Sequence, residues 1–253
     1  MQVDVVYLEK QDGIGVICLN QPKKKNAISA VMMDLITDLL NELEQDDDIR
    51  VIVLRGAGEH FCAGGDLDQP GPSPITAEFS RKSLRRYTRA IRAIRSTSKP
   101  VVAMVGGYAV GGAVSMMLAC DLVCVAADAK IIPNFCAIGL VPELGIMATL
   151  PAAVGPQRAK EILFLGERMT GVDCLRLGIA NRVFPAERLE EETMALAQRL
   201  GARSSISLKI TKGIMNSAMD AALANVLEAE SIGSPLCSQS EEFKAIAAKF
   251  AKR

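Results

Sequence analysis

Three short apolar runs constrain the fold of this chain more than any other feature. They lie at residues 51–54, 101–105 and 122–126. Each run is too short and too apolar for an exposed helix, so each predicts a buried strand. Glycines follow the first two runs almost at once. Strands that alternate with helical patterns and lead into a helical tail predict an α/β core of stacked sheets.

Turn and capping signals place the remaining elements. Gln11-Asp12-Gly13 separates apolar runs at 3–8 and 14–19, which predicts an antiparallel hairpin. Ser29 can cap a helix that ends at the acidic run 46–48, and the capping-box spacing of Ser238 and Glu241 predicts another helix start. The apolar residues that recur at helical spacing after Ser29 are Val31, Met32, Leu35, Ile36, Leu39, Leu40 and Leu43. A proline-rich loop is expected at 69–74, and further helices at 75–96, 113–119, 157–165, 172–177, 187–200, 204–215, 218–232 and 238–252.

Composition narrows the class of protein. The 253 residues suit one large domain, or one domain with an appendage. Lysine plus arginine equals aspartate plus glutamate at 29 each, so no overall charge recruits nucleic acid or acidic lipid. Seven cysteines lack zinc-site spacing, which favours buried, reduced thiols. The first residues lack a secretion signal and no apolar run approaches membrane length, so we expect a cytoplasmic protein without a membrane partner.

Two glycine-rich segments follow predicted strands. They cover residues 60–67 and 106–112, and the second opens the helix expected at 113–119. Glycine lets a backbone approach a ligand and present bare N–H groups to it, and a helix N-terminus adds positive potential. Either segment alone is typical of an ordinary tight turn. Together they can bracket one negatively charged oxygen.

Seven motifs in order make the sequence resemble the crotonase superfamily, also called the enoyl-CoA hydratase/isomerase family. The motifs lie at 22–28, 61–67, 99–103, 107–112, 120–121, 139–143 and 178–185. The resemblance implies a spiral of strand-strand-helix units over residues 1–195 that binds acyl-CoA. It also implies a helical region over residues 196–253 that makes trimer or dimer-of-trimer contacts.

The resemblance also implies roles for individual residues. The backbone N–H groups of Gly65 and Gly112 match the donors of an oxyanion hole for a thioester carbonyl. The matched neighbours of the coenzyme A moiety and acyl group are Lys24, Lys25, Ala27, Ala63, Gly64, Asp66, Leu67, Tyr108 and Phe135. A solvated loop remains the alternative for the lysines, and Asp66 is expected to fix the glycine turn through backbone hydrogen bonds.

The carboxylates decide which reaction is possible. Ser115 and Phe135 occupy the positions of the two glutamates that the family's hydratases use, which argues against hydration. Glu143 matches the single acid of the family's enoyl-CoA isomerases, and its apolar sequence neighbours predict a raised pKa. The alternatives are that Glu143 caps a helix or pairs with Arg158. The other polar residues nearby, for which structural roles are favoured, are Ser115 and Asn134 as packing residues and His60 at the surface.

These observations predict an isomerase that converts a 3-enoyl thioester to a 2-enoyl thioester. No metal or redox cofactor is expected, since coenzyme A is part of the substrate, and the substrate partner is an acyl-CoA or an acyl-carrier-protein thioester. One alternative is a decarboxylase or another lyase of the same fold, which needs no base. A second is a non-catalytic member that binds CoA, or that binds RNA through the basic helix at 81–95, although the neutral net charge argues against RNA.

Overall fold

The apolar runs form the strands of two sheets. The computed structural model describes residues 5–66 and 76–250. The strands are Val6–Gln11 (β1), Ile14–Leu19 (β2), Val51–Gly56 (β3), Val101–Val105 (β4), Tyr108–Val110 (β5), Leu122–Ala126 (β6), Lys130–Ile132 (β7), Met169–Thr170 (β8) and Arg182–Phe184 (β9). The α-helices are Ala30–Gln45 (α1), Ala77–Ser96 (α2), Gly112–Ala119 (α3), Ile146–Val154 (α4), Pro156–Leu165 (α5), Gly171–Leu177 (α6), Leu189–Gly201 (α7), Ser205–Ser238 (α8) and Glu241–Phe250 (α9). The proline-rich loop at 69–74 lies outside the described residues.

The larger sheet has six strands in the order β1-β2-β3-β4-β6-β9. β1 and β2 pair antiparallel through a two-residue turn, with Asp12 at φ 49° and Gly13 at φ 77°. This left-handed pair matches the right-handed twist of a hairpin and confirms the predicted turn. The other neighbouring strands pair in parallel, and the residues of β2, β3, β4 and β6 are mostly buried. The α/β class expected from the sequence is confirmed.

The smaller sheet, β5-β7-β8, was not expected from the sequence. Its strands have only two or three residues, too few to show a period of two. β5 also pairs through an isolated bridge between Ala109 and Cys62, and a second bridge joins Ile28 to Gly65. The smaller sheet therefore holds the two glycine-rich segments beside each other.

Helix α1 begins as the sequence predicts. The Ser29 hydroxyl accepts a hydrogen bond from the Met32 amide at 3.1 Å, and the helix ends at Gln45. Val31, which was assigned to the apolar face, is instead exposed. It follows the cap by two positions and lies off the stripe formed by the buried Met32, Ile36, Leu40 and Leu43.

The C-terminal region differs from the prediction in two places. The two helices expected at 204–215 and 218–232 are one 34-residue helix, α8. The polar residues at the expected break do not interrupt it, because Asn216 donates to the Arg95 carbonyl and Ser217 to the Ile214 carbonyl. The expected cap, Ser238, is the last residue of α8, and Ser240 caps α9 by accepting from the Phe243 amide. The division at residue 195 falls within α7 and stays a prediction.

Layers of helices cover the larger sheet. α2 packs against α1 and α8, and α4, which was not predicted from the sequence, packs against α3, α5 and α8. All seven cysteines are free thiols, and five of them are buried. Over residues 5–66 and 76–250, every helix is too short or too polar to cross a lipid bilayer.

Candidate active site

The first glycine turn presents the Gly65 amide to open space. The Ile28 amide donates to the Gly64 carbonyl at 2.7 Å, and the Asp66 amide donates to the Ile28 carbonyl at 2.9 Å. In this backbone pairing, the Gly64 carbonyl and the Asp66 amide bond to residue 28. The N–H of Gly65, which lies between them, therefore points away from residue 28. A Cβ at Gly65 would meet no atom within 4 Å. A Cβ at Gly64 would lie 2.6 Å from the Val110 carbonyl oxygen, so residue 64 must be glycine.

The second glycine turn opens helix α3. Gly111 has φ 52° and donates its amide hydrogen to the Ile132 carbonyl at 2.9 Å. Gly112 is the first residue of α3, where an amide has no acceptor within the helix. In the stretches that the structure describes, neither the Gly65 nor the Gly112 amide donates a hydrogen bond.

Ile28 joins the two turns. Its backbone pairs with Gly65, and its side chain lies 3.3 Å from where a Cβ on Gly112 would be. The Leu144 side chain lies 3.1 Å from the same point. The fold thus places both predicted oxyanion donors next to Ile28, and it places Gly112 beside the residue that follows Glu143.

Glu143 lies between two serines. The Ser115 hydroxyl donates to the Glu143 carbonyl oxygen at 2.7 Å, and the Ser234 hydroxyl donates to Oε1 of the Glu143 carboxylate. Burial raises the pKa of Glu143 above its usual value, and the Ser234 hydrogen bond partly opposes this shift. The alternative pairing with Arg158 is wrong, because Arg158 pairs with Glu161.

Ser115 does more than fill space. It is 0% exposed, and its hydroxyl ties α3 to the loop that carries Glu143. Ser115 is thus a small buried residue with a structural role, as expected, and its hydrogen bond to the loop is an addition that the sequence did not show. Three positions separate Ser115 from Gly112, so a single turn of α3 supports both the loop and one predicted oxyanion donor.

A buried carboxylate that the sequence did not reveal lies behind this loop. Glu230 is 0% exposed, and both its oxygens accept from the Gly145 amide at 3.1 Å. Burial and, to a smaller extent, the negative charge of Glu143 raise its pKa, the Gly145 amide lowers it, and the net value is about 8. Its position on a buried helical stripe with Leu223, Leu227 and Ser234 is the sequence signal that would have found it.

Tyr87 on α2 also belongs to this region. Burial raises the pKa of its phenol, as do the negative charges of Glu143 and Asp66. The Tyr87 hydroxyl is therefore a polar group of the site that sequence analysis missed, since nothing in the helical pattern distinguishes it from a packing residue.

The loop expected to border coenzyme A is held by Asn26. This residue is fully buried, and its amide group donates to the Ala57 and His60 carbonyls while accepting from the Gln21 amide. The neighbouring backbone is fixed as well, because the Ala27 amide donates to Lys24 and the Ala63 amide donates to Lys25. The backbone of the loop is thus fixed, while the lysine side chains at its surface are exposed to solvent.

The lysine side chains of this loop have partners. Lys24 Nζ lies 2.9 Å from Asp66 Oδ2, and Lys25 Nζ lies 4.8 Å from the centre of the Tyr108 ring. Lys130 Nζ approaches the same ring at 4.8 Å. Asp66 fixes the turn through its amide, as expected, but its carboxylate also forms the ion pair with Lys24.

The remaining predicted residues have mixed outcomes. Phe135 is buried, with its ring 3.9 Å from where a Cβ on Gly111 would be, so it does lie beside the second turn. His60 was expected at the surface, but its side chain is only 17% exposed and packs edge-on against Tyr108. This expectation was wrong because the turn at 57–60 folds against the smaller sheet. Leu67 lies outside the described residues.

The fold and the site define a class of α/β proteins in which glycine turns present free amides near a buried carboxylate. Residues 9–252 match the sequence profile described as enoyl-CoA hydratase/isomerase. The chain therefore belongs to the enoyl-CoA hydratase/isomerase family, and its fold is that of the crotonase superfamily.

Individual relatives bear different names. The 1,2-epoxyphenylacetyl-CoA isomerase of Escherichia coli (strain K12) is 30% identical over 259 residues, which span 100% of this chain and 97% of that protein. A probable enoyl-CoA hydratase, echA8, of Mycobacterium bovis is 28% identical over 227 residues, which span 90% of this chain and 87% of that protein. The crystal structure of an enoyl-CoA hydratase from Mycobacterium avium subsp. paratuberculosis K-10 superposes with a TM-score of 0.89 at 29% identity, covering 99% and 97% of the two chains.

Proposed function

We propose that this protein is an acyl-CoA isomerase that moves the double bond of a 3-enoyl-CoA to the 2-position, with Glu143 as the acid and base. The observation that carries the proposal is the partly buried Glu143 carboxylate. The Ser234 hydroxyl orients this carboxylate, and the Ser115 hydroxyl holds the loop to which Glu143 belongs. A base that takes a proton from one carbon and returns it to another works best with a pKa near neutrality. The raised pKa of Glu143 suits that task.

The reaction moves one proton and two electron pairs. Glu143 takes a proton from C2, the C–H electrons form a bond to the carbonyl carbon, and the thioester oxygen becomes an enolate oxygen. The amides of Gly65 and Gly112 would stabilise that charge, and each such donor contributes about 3 kcal/mol of barrier reduction. The protonated Glu143 then delivers the proton to C4, where the C3=C4 π electrons form the new C–H bond. The C1=C2 pair shifts to C2=C3 and the enolate oxygen re-forms the carbonyl, which leaves the 2-enoyl product. No metal or redox cofactor takes part in these steps.

The same residues disfavour hydration as the main activity. Water addition needs a base for the water and an acid for the α-carbon. Ser115 uses its hydroxyl on the Glu143 carbonyl, and Phe135 offers no titratable group. Glu230 is a second carboxylate, but both its oxygens already accept hydrogen bonds from the Gly145 amide.

We propose that the coenzyme A part of the substrate runs past the loop at 24–27. Lys24, Lys25 and Lys130 are cations gathered around Asp66 and Tyr108, which suits the phosphates and adenine of coenzyme A. Free CoA is favoured here over a carrier protein, because the cations converge on one aromatic ring instead of spreading over a face. The full-length relative named as a 1,2-epoxyphenylacetyl-CoA isomerase supports both the CoA thioester and the reaction class.

A panel of thioesters tests the proposal. Wild type and Glu143→Gln are assayed with 3-enoyl-, 2-enoyl- and malonyl-type CoA substrates. We expect 3-enoyl isomerisation by the wild type and a loss of about 10²–10⁴-fold in Glu143→Gln, the usual contribution of a general acid–base. Rapid hydration of 2-enoyl-CoA would refute the assignment, and decarboxylation that survives Glu143→Gln would favour a lyase.

A further inference from the structure

Helix α8 supports the Glu143 loop with two side chains. Ser234 donates to the Glu143 carboxylate, and one helical repeat earlier Glu230 accepts from the Gly145 amide with both oxygens. The Leu144 amide also contributes a hydrogen bond to Glu230. No lysine or arginine of the described ranges forms an ion pair with Glu230. Backbone amides therefore take the place of a cation for this fully buried carboxylate.

The backbone that Glu230 binds has an uncommon conformation. Leu144 has φ 62° and Gly145 has φ 79°, so two consecutive residues are left-handed. The left-handed backbone region is unfavourable for a bulky side chain such as that of Leu144. Such backbone strain persists only where the surrounding structure imposes it. Successive amides in turns of this kind form a concave site for an anion. Here the anion is a carboxylate of the same chain.

This strained turn connects both halves of the proposed site. It follows Glu143 directly, and the Leu144 side chain lies 3.1 Å from where a Cβ on Gly112 would be. Gly145 packs closely on α8, since a Cβ there would meet Leu223 at 2.6 Å. A substitution of Glu230 that moves this turn would therefore displace both Glu143, the proposed base, and the surroundings of Gly112, a proposed oxyanion donor.

We propose that Glu230 is a positioning residue, whose carboxylate holds the left-handed Leu144–Gly145 turn and so fixes the place of Glu143. The inference rests on the proposed function, because it gives Glu143 the role of acid and base. Glu230 itself touches backbone amides and is not assigned any contact with substrate.

The charges around Glu230 make the role measurable by pH. Glu143 faces it from the loop, the N-terminus of α4 faces it through Gly145, and Tyr87 of α2 lies beyond Glu143. Two carboxylates in one poorly solvated region oppose each other's ionisation. Glu143 ionises first, since its negative charge is one of the causes that hold the pKa of Glu230 at about 8, so Glu230 becomes charged beside it only as the pH approaches 8.

Glu230→Gln tests the proposal against Glu228→Gln, a matched control on the same helix that pairs with Arg81 on the protein surface. We expect Glu230→Gln to lower kcat by about 10²-fold, as for a misplaced catalytic group, with KM unchanged within about twofold. The change in kcat near pH 8, where Glu230 of the wild type ionises, should be absent from its kcat–pH profile. The proposal is overturned if the two variants share the wild-type profile.

A second measurement does not depend on activity. Hydrogen exchange followed by mass spectrometry should show faster exchange at residues 144–146 in Glu230→Gln and unchanged exchange in Glu228→Gln. Glu230→Asp, which keeps a shorter carboxylate, is expected to lie between the two and carries the test if Glu230→Gln does not fold. Unchanged exchange in the Glu230 variants overturns the inference. Absence of isomerase activity in the wild type, with the exchange effect present, overturns the proposed function alone.

Discussion

The Ser115 hydroxyl donates a hydrogen bond to the Glu143 carbonyl oxygen at 2.7 Å, from a helix that begins only three residues earlier at Gly112. Ser115, which the resemblance matches to a hydratase glutamate, thus supports the loop that carries the proposed base.

Ser115→Ala should weaken both stability and catalysis. The change leaves a buried carbonyl without its donor, which costs about 1–3 kcal/mol of unfolding free energy. We expect a lower kcat with little change in KM, because the Glu143 loop would move while Lys24 and Lys25, the proposed neighbours of CoA, would keep their positions. Ser217→Ala removes a comparable serine bond to a carbonyl on the exposed side of α8 and serves as the control. Equal kcat values in the two variants would contradict the coupling.

Gly64 and Gly65 should respond oppositely to the same alanine substitution. Gly64→Ala places a methyl 2.6 Å from the Val110 carbonyl at φ 85°, so urea denaturation should show a loss of at least about 1–3 kcal/mol. Gly65→Ala meets no atom within 4 Å, so its stability should stay within about 0.5 kcal/mol of wild type. Its kcat/KM should nevertheless fall, because the methyl enters the space beside the proposed oxyanion donor. An active, stable Gly65→Ala enzyme would argue against that role.

The sequence predicted the parts of the fold that depend on local chemistry. The Asp12-Gly13 turn, the Ser29 cap and the apolar runs each carry their own signal, and the structure confirms them. Strands β5, β7 and β8 were missed because two or three residues have no readable period, and their pairing comes from tertiary contacts. Helix α8 was divided because Asn216 and Ser217 suggest a break that the contact with α2 prevents.

The site was predictable only where the resemblance supplied positions. The resemblance supplied Gly65, Gly112 and Glu143, whose roles stay predictions, and the structure places Gly112 beside the side chains of Ile28 and Leu144. Glu230 and Tyr87 come from helices distant in sequence, and only packing brings them to Glu143. No single-sequence pattern reports the contact between Gly145 of the loop and Glu230 of α8, which spans 85 positions.

Self-association should depend on an apolar stripe of α8. Ile206, Ile210 and Ile214 recur every four residues and are all exposed in the single chain. Such a surface is typical of a subunit interface, which suits the trimer or dimer of trimers expected from the family resemblance. Ile210→Glu should lower the mass measured by light scattering, whereas Lys209→Glu, on the adjacent position, should leave it unchanged. A monomeric wild type would contradict the prediction.

The stability of the protein should fall as the pH rises from about 4.5 to 8, because of Glu230. Burial raises the pKa of this carboxyl in the folded protein from 4.5 to about 8, so between these values the folded chain keeps a proton that the unfolded chain has released. The unfolding free energy therefore decreases with rising pH, by at most about 1.4 kcal/mol per unit from this group. Urea denaturation across this range should show a shallower decrease in Glu230→Gln. Glu143→Gln is the control for the other carboxyl group with a raised pKa. Identical slopes of unfolding free energy against pH for wild type and Glu230→Gln would show that Glu230 is ionised in the folded protein throughout this range. In that case the neighbouring amides and the N-terminus of α4 outweigh burial, and the charge of Glu230 would act on Glu143 at every pH tested.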